Sequence, residues 1–106
     1  MARSNGKRND DVVKSSTLLK AVADQDRLRL ILQMKGGKKN VSTLADAIGA
    51  EIVNVSHHLG VLRASELVKA EKVGRFVYYS LNPEYVSQEG GALHFKLHGS
   101  RLILNV

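Results

Sequence analysis

The sequence predicts a mainly helical α+β fold in which a β-hairpin directly follows the last long helix. Between residues 14 and 65, apolar residues recur every three or four positions, a spacing typical of amphipathic helices. Between residues 68 and 81, the runs VKAEKV and FVYYSL are rich in Val, Phe and Tyr, which favour strands. The final stretch, ALHFKLHGSRLILNV, alternates apolar and polar residues, so we expect a second hairpin there.

Composition limits the classes of function that the chain can have. Its 106 residues fit a single domain. The 16 Lys and Arg residues outnumber 10 Asp and Glu, and the net charge of +6 favours a polyanionic partner such as nucleic acid, although the same charge could serve solubility alone. The absence of cysteine excludes disulfides, thiolate metal sites and cysteine nucleophiles.

Nothing in the sequence predicts a membrane or secretory segment. The uninterrupted apolar stretches are only a few residues long, far short of a membrane span. The first residues, MARSNGKRNDDVV, are basic but lack the apolar core of a signal peptide. We therefore expect a cytoplasmic protein with no membrane partner.

The first helix is predicted to begin after a flexible basic tail. Residues 1–13 are polar, and Arg3, Lys7 and Arg8 could reach phosphates, although a solvated tail is favoured. From Lys14 onward the spacing becomes helical, with an apolar stripe formed by Leu18, Leu19, Val22 and Ala23.

Two shorter helices are predicted from their end signals. Asp24 or Asp26 can cap a helix over DRLRLILQM, which Gly36-Gly37 would end. Ser42 can cap a helix over TLADAI, and Gly49 supplies the left-handed residue that stops it.

A longer helix from about residue 53 to residue 65 follows this short helix after a three-residue turn. A short helix, a glycine-containing turn and a longer amphipathic helix form a helix-turn-helix. The strand-like runs after it, joined through Gly74-Arg75, predict the hairpin "wing" of a winged helix-turn-helix over residues 14–82. Asn82-Pro83 then indicates one or two helical turns over PEYVSQ, which Gly90-Gly91 would break.

The outer face of the long helix is suited to the major groove of DNA. At 100° per residue, Val55, Leu59 and Leu62 form the buried side, with His58 on its flank. The opposite side is small, polar and free of acid, so it can approach base edges. It consists of Val53, Ser56, His57, Gly60 and Ala64. Basic residues at the helix end and on the wing (Arg63, Lys69, Lys72 and Arg75) would contact phosphates.

Four ordered motifs resemble the ArsR/SmtB family of bacterial winged-helix repressors. They are LLKAVADQDRLRLILQM, STLADAIG, VSHHLGVLRASELV and VGRFVYYSL, within residues 15–82. The resemblance implies a homodimer that binds an inverted-repeat operator on double-stranded DNA and leaves when an effector binds. It also implies that Ser56-His57 lies on the recognition helix. The predicted DNA-binding residues are Ser42, Thr43, Val53, Asn54, Ser56, His57, Arg63, Lys72 and Arg75.

The resemblance implies a dimer interface that pairs the first helix with the last one. Here the family's last helix is replaced by a glycine-interrupted segment, so we expect residues 83–106 to form a dimerisation hairpin instead. The predicted interface residues are Leu18, Leu19, Val22, Leu93, Phe95, Leu102 and Leu104.

The departures from the family pattern bear on the effector. Members that sense arsenic or heavy metals often carry Cys-x-Cys at the positions of Asn40 and Ser42, and neither residue binds a soft metal. The zinc-type ligands lie on the last helix, which the glycine-interrupted segment replaces here. We therefore predict no metal and no cofactor, and leave an unknown effector open. Glu66 stands where Gly is common and would be strained in a left-handed conformation.

Metal binding by histidine pairs is disfavoured by geometry. His57 and His58 are adjacent on a helix and point about 100° apart, so one ion cannot easily take both. His94 and His98 would lie roughly 13 Å apart in a strand at 3.3 Å per residue. Ligation by His94 and His98 across a dimer is an alternative, but ordinary surface histidines are favoured.

Catalysis and protein recognition are the remaining alternatives. The sequence has no phosphate-binding glycine loop, no paired carboxylates in a recognisable arrangement and no nucleophile beside a base, so we expect no enzyme. A winged helix that binds protein would show an acidic or strongly apolar recognition face, and this interpretation as an interaction module comes second.

Overall fold

The structure, a computed structural model, describes residues 5–106, with side chains from Asn9 onward. This part of the chain forms four α-helices and two three-stranded antiparallel sheets. The helices are α1 (Asn5–Val22), α2 (Gln25–Gln33, continued by a 3₁₀ turn over Met34–Gly36), α3 (Val41–Ile48) and α4 (Ile52–Ala64). The strands are β1 (Lys39–Asn40), β2 (Val68–Val73), β3 (Phe76–Leu81), β4 (Val86–Glu89), β5 (Ala92–Lys96) and β6 (Arg101–Leu104).

The helix-turn-helix and its wing form as predicted. α3 ends at Gly49, which is left-handed with φ of 67°, and α4 begins at Ile52 after a short turn. β2 and β3 form the wing, with Val73 opposite Phe76 and Gly74 at φ of 64° in the turn. β1 pairs with the other edge of β3, giving the order β1-β3-β2. The predicted winged helix-turn-helix fold is confirmed.

The C-terminal segment is a three-stranded sheet, not a hairpin alone. β5 and β6 form the predicted hairpin, with Phe95 opposite Leu102, but β4 adds a third strand on the other side of β5. The expected helix over PEYVSQ is wrong: residues 83–85 form a turn, and β4 begins at Val86. Gly90 and Gly91, with φ of 59° and 81°, connect β4 to β5 instead of breaking a helix.

A shared core joins the helices to the second sheet. The buried residues of α1, α2 and α4 contact those of β4 and β5 in one cluster, so the C-terminal sheet is anchored to the helix-turn-helix. Its largest fully buried side chains are Phe95, Leu30, Ile31, Met34, Leu44, Leu59, Leu62, Leu67, Leu93 and Val55.

Two predictions about helix starts are corrected. The tail expected over residues 1–13 is helical from Asn5 onward, since α1 begins there and continues without a break through Lys14. Residues 1–4, including Arg3, and the side chains of Lys7 and Arg8 lie outside the described part. The N-cap of α3 is Asn40, whose side chain accepts a hydrogen bond from the Thr43 amide, and Ser42 lies inside the helix.

The N-cap of α2 is the predicted Asp24. Its carboxylate accepts a hydrogen bond of 3.0 Å from the Arg27 amide. No helix within residues 5–106 is long and apolar enough to cross a membrane.

Candidate nucleic-acid interface

The two sides of α4 separate as the helical spacing predicts. Val55, Leu59 and Leu62 are each 0% exposed and fix α4 on the core. On the opposite side, Val53 is 76% exposed, and the other outward residues, Ser56, His57, Gly60 and Ala64, are exposed as well. This side carries no carboxylate, because the acids nearest in sequence, Glu51 and Glu66, lie just outside the two ends of the helix. The outer face can therefore approach an anionic surface.

The adjacent histidines of α4 have different surroundings. His57 is exposed, whereas only 17% of the His58 side chain is exposed. The His58 Nδ1 atom accepts a hydrogen bond of 3.2 Å from Nη1 of Arg27 on α2. His58 is half-buried, as expected for a residue on the flank of the buried side, and its hydrogen-bond partner Arg27 lies 31 residues away in the sequence.

Charged groups of α2 surround His58. The second ring nitrogen of His58, Nε2, lies 3.9 Å from the Asp26 carboxylate, which also pairs with Arg29 at 3.0 Å. The hydrogen bond from the Arg27 amide and the nearby charge of the Arg27 guanidinium lower the pKa of Asp24 below its ordinary value of 3.8, although burial opposes the shift. His58 is thus held by a small ionic cluster that orients α4 against α2.

The start of α3 carries two exposed hydroxyl residues. Ser42 and Thr43 are both exposed in the first turn of α3, after the Asn40 cap. Hydroxyls and backbone amides at a helix start are common phosphate ligands. Asn54, in the first turn of α4, is likewise exposed. Ser42, Thr43 and Asn54 are thus accessible, and their contact with DNA stays a prediction.

The wing presents unpaired basic side chains. Lys69, Lys72 and Arg75 are exposed, and none of the three forms an ion pair among residues 9–106. The acid of β2, Glu71, is paired with Lys38 at 3.3 Å. Lys38 also lies over the ring of Tyr78, 5.4 Å from its centre.

Sequence reasoning missed the role of Lys38, because its neighbours in the sequence indicate only a loop. Lys38 stands 33 residues before Glu71, and only the pairing of β1 with β3 brings the two together. The pair neutralises the carboxylate of Glu71, so the wing keeps its positive charge.

The histidines of the C-terminal sheet do not form a metal cluster. No group of three or more His, Cys, Asp or Glu side chains suited to a metal ion occurs among the residues that the structure describes. His94 lies on β5 with a buried Nδ1 atom that has no hydrogen-bond partner among residues 9–106, so the prediction of an ordinary surface histidine is wrong for it. The backbone of His98 bonds to Ser15 on α1.

Four of the seven residues predicted for a dimer interface belong to the chain's own core. They are Leu18, Val22, Leu93 and Phe95, which are 5%, 7%, 0% and 1% exposed. Their prediction as interface residues is corrected, since α1 and β5 use them to bury the helices against the second sheet. Leu19 is 41% exposed, and Leu102 and Leu104 are half-buried, so these three can still meet a partner.

Comparison with known proteins places the helix-turn-helix in a family. The family described as "Bacterial regulatory protein, arsR family" matches residues 24–70, which hold α2, α3 and α4. The transcriptional repressor SdpR of Bacillus subtilis is 31% identical over 67 residues, covering 63% of this chain and 74% of that protein. The chain belongs to the ArsR family.

Other members of the ArsR family extend this comparison. The HTH-type transcriptional regulator NmtR of Mycobacterium tuberculosis is 41% identical over 73 residues, which are 69% of this chain but only 61% of NmtR. Among solved structures, a homodimeric winged helix-turn-helix DNA-binding domain, Mb0332 of Mycobacterium bovis, superimposes with a TM-score of 0.65 at 26% identity. The superposition covers 79% of this chain and 75% of that one.

Two residues of this chain stand where Cys-x-Cys is expected in ArsR-family members that sense soft metals. At the two positions expected for Cys-x-Cys, this chain has Asn40, whose side chain is committed to capping α3, and the exposed Ser42. Both are hard oxygen donors, which suit soft thiophilic metals poorly.

Proposed function

We propose that this ArsR-family chain is a sequence-specific DNA-binding transcriptional regulator that acts as a homodimeric repressor at an inverted-repeat operator. The observation that carries the proposal is the exposed, carboxylate-free face of α4 next to a wing whose basic side chains form no ion pair with any residue that the structure describes from Asn9 onward. The names of its relatives SdpR and NmtR, a repressor and a transcriptional regulator, support it. Such a protein binds rather than catalyses, and it works beside the chromosome in the bacterial cytoplasm.

The proposed contacts divide into those that read bases and those that hold phosphates. On α4, Ser56, His57 and Asn54 carry short side chains with hydrogen-bonding atoms, and the small outward residues Gly60 and Ala64 leave room for close approach. With Val53, they are assigned to base edges in the major groove.

The flanking groups are assigned to the sugar-phosphate backbone. They are Ser42, Thr43, Arg63, Lys69, Lys72 and Arg75, all of them exposed. Arg75, beside Gly74 in the wing turn, can reach into or along the minor groove, where guanidinium groups are favoured by the negative potential. Phosphate contacts of this kind supply affinity and register but little sequence choice.

A dimer is needed for useful affinity and specificity. One helix reads only a few base pairs, and a two-fold dimer reads two half-sites in opposite orientations. The homodimeric state of the Mb0332 domain supports this assembly.

Selection of genomic DNA fragments by the purified protein tests the proposal. We expect fragments with an inverted repeat to be enriched and to bind with an affinity that falls steeply as salt rises, with a log–log slope of about −0.9 for each phosphate contacted. The selection is repeated with a chelator, and equal enrichment in both is the expected result for a chain without a metal site. Enrichment of no fragment over bulk DNA would contradict the proposal and favour a protein-binding winged helix. Loss of enrichment with the chelator would instead favour a metal sensor that uses His94 and His98 across the dimer.

A further inference from the structure

The tip of the wing exposes a pair of apolar side chains. Val73 is 46% exposed and Phe76 is 50% exposed. They are the last pair of β2 and β3 before the turn at Gly74-Arg75, and they stand directly opposite each other. Because residues opposite each other project from the same face of a hairpin, the two side chains form one apolar patch beside Arg75.

The ring of Phe76 faces away from the core of the chain. Tyr79 and Leu81, on the same strand, pack against the core, and alternation along a strand places residue 76 on the other face. The other phenylalanine of the chain, Phe95, is 1% exposed and lies within the core. The size of Phe76 therefore does not serve the packing of the core, and a large exposed aromatic side chain suits a contact with a partner.

The ring of Phe76 is supported from the side of the helices. The ring of Tyr78 lies 6.4 Å away, centre to centre, at an angle of 58°. Tyr78 in turn lies beneath the ammonium group of Lys38, which pairs with the Glu71 carboxylate at 3.3 Å. A ring supported in this way loses less conformational freedom on binding than a side chain on a mobile loop.

The charges around the tip favour an anionic partner. Lys69, Lys72 and Arg75 are exposed and form no ion pair within residues 9–106. The minor groove of DNA offers phosphates along its edges and the apolar faces of sugars and bases between them. Proteins that bind this groove insert side chains such as Phe between base steps, beside Arg and Lys. The combination of Phe76 and Arg75 fits such a groove better than it fits a purely apolar surface.

The length of the wing suits this placement. β2 begins four residues after the end of α4 and has 6 residues, a span of about 20 Å at 3.3 Å per residue. One turn of DNA is about 34 Å long, so a major groove and the next minor groove on the same side lie roughly 17 Å apart. With α4 in the major groove, the tip can therefore reach the adjacent minor groove.

We propose that Phe76 enters the minor groove beside Arg75 and packs as an apolar wedge against a base step next to the half-site that α4 reads. The proposal rests on the DNA binding of the proposed function. It goes further in that it gives the wing an apolar contact in addition to its phosphate contacts.

A tryptophan at the tip tests the insertion directly. The chain contains no tryptophan, so Phe76→Trp introduces a single indole. When operator DNA is added to saturation, the emission of this indole should be quenched and its accessibility to acrylamide should fall, because a ring that packs on bases is shielded from water. Ile103→Trp is the matched control, since Ile103 is 49% exposed but lies on β6 of the second sheet. Its emission and accessibility should stay nearly unchanged.

Removal of the ring tests its contribution to affinity. Phe76→Thr keeps a residue that favours strands, and we expect operator binding to weaken roughly fivefold at fixed salt. The slope of log affinity against log salt concentration should stay unchanged, because no charge is removed. Val77→Thr, on the opposite face of β3, is the matched control and should bind nearly as the wild type does. Since the pair with Val73 also supports the hairpin, thermal unfolding of each variant checks that the fold is retained.

The outcomes separate the wedge from DNA binding itself. A wild-type chain that binds its operator, while the indole of Phe76→Trp stays equally accessible or Phe76→Thr binds normally, would overturn the wedge and leave the proposed function intact. The tip would then be free for a partner protein. Weaker binding of Phe76→Thr with a shallower salt slope would also overturn the wedge, because it would indicate a lost phosphate contact. A wild-type chain that binds no DNA fragment would overturn both proposals.

Discussion

The guanidinium of Arg27 donates a hydrogen bond to the ring of His58 and so ties α2 to α4. The same guanidinium donates from Nε to the Ala21 carbonyl at 2.7 Å and from Nη2 to the Lys20 carbonyl at 3.3 Å, both at the end of α1. Because an arginine has no acceptor, His58 must present an unprotonated Nδ1 to it and carry its proton on Nε2, toward Asp26. Three helices are thus joined by one side chain.

Arg27→Ala should lower the free energy of unfolding by about 2–3 kcal/mol, since it leaves two helix-terminal carbonyls and a half-buried imidazole without their charged donor. Urea denaturation followed by circular dichroism measures the change. The neighbouring Arg29 is a matched control: its pair with Asp26 is exposed, and Arg29→Ala should cost less than about 1 kcal/mol. Equal destabilisation by the two substitutions would contradict the central role of Arg27.

Asp24→Ala should lower stability by about 1 kcal/mol at neutral pH, because it removes the N-cap of α2. Folding lowers the pKa of the Asp24 carboxyl below 3.8, chiefly through the hydrogen bond from the Arg27 amide, so the charged form favours the folded state. That stabilisation is complete above the unfolded pKa and disappears as the pH falls through the lower folded value.

The stability difference between wild type and Asp24→Ala should therefore shrink below about pH 4, as measured by urea denaturation over a pH series. Asp24→Asn keeps a capping oxygen without the charge, so its stability should change less with pH in this range than that of the wild type. A difference between wild type and Asp24→Ala that grew toward acid pH would refute this account.

The sequence is sufficient to predict features that depend on neighbouring residues. The sides of α4, with Val55 buried and His57 exposed, follow from helical spacing over a few turns. The left-handed Gly49 and the wing turn at Gly74 follow from residue type. These features can be predicted because their causes lie within about ten residues of chain.

The remaining features depend on tertiary contacts or on a choice between equivalent local signals. The partner of His58 is 31 residues away, and that of Lys38 is 33 residues away, so no local pattern could find them. Asn40 and Ser42 are both good caps, and the pairing of β1 with β3 decides for Asn40. The interface prediction for Leu93 is wrong because alternation shows which residues are apolar but not which surface covers them.

Glu66→Gly should stabilise the chain by about 0.5–1 kcal/mol. Glu66 has φ of 66°, and relief of its left-handed strain, about 1–2 kcal/mol, exceeds the added entropy of a glycine in the unfolded chain, about 0.4–1 kcal/mol. Its backbone carbonyl still accepts the hydrogen bond from Asn82, so the end of α4 is preserved. Thermal or urea unfolding measures the stability of Glu66→Gly and of Glu66→Ala. The alanine variant removes the carboxylate without relieving the strain, so the difference between the two variants isolates the backbone effect. A glycine variant no more stable than the alanine variant would show that the strain is absent.

His57→Ala should reduce discrimination between operator and random DNA by about 1 kcal/mol or more, roughly fivefold, because His57 is assigned to base edges. Arg75→Ala should instead weaken binding to both kinds of DNA alike, because the wing is assigned to phosphates. For Arg75→Ala, the slope of log affinity against log salt concentration should become shallower by about 1 for each phosphate that the variant no longer neutralises. Fluorescence anisotropy at several fixed salt concentrations measures both quantities.

Arg101→Ala, on the exposed strand β6 of the second sheet, is the control for the removal of a positive charge. It should leave the operator affinity and the salt slope nearly unchanged, since β6 lies outside the assigned DNA-binding surface. An unchanged operator-to-random ratio for His57→Ala would remove His57 from the groove. An Arg75→Ala effect confined to the operator would make that arginine a reader of sequence, because a phosphate contact weakens binding to every DNA sequence alike.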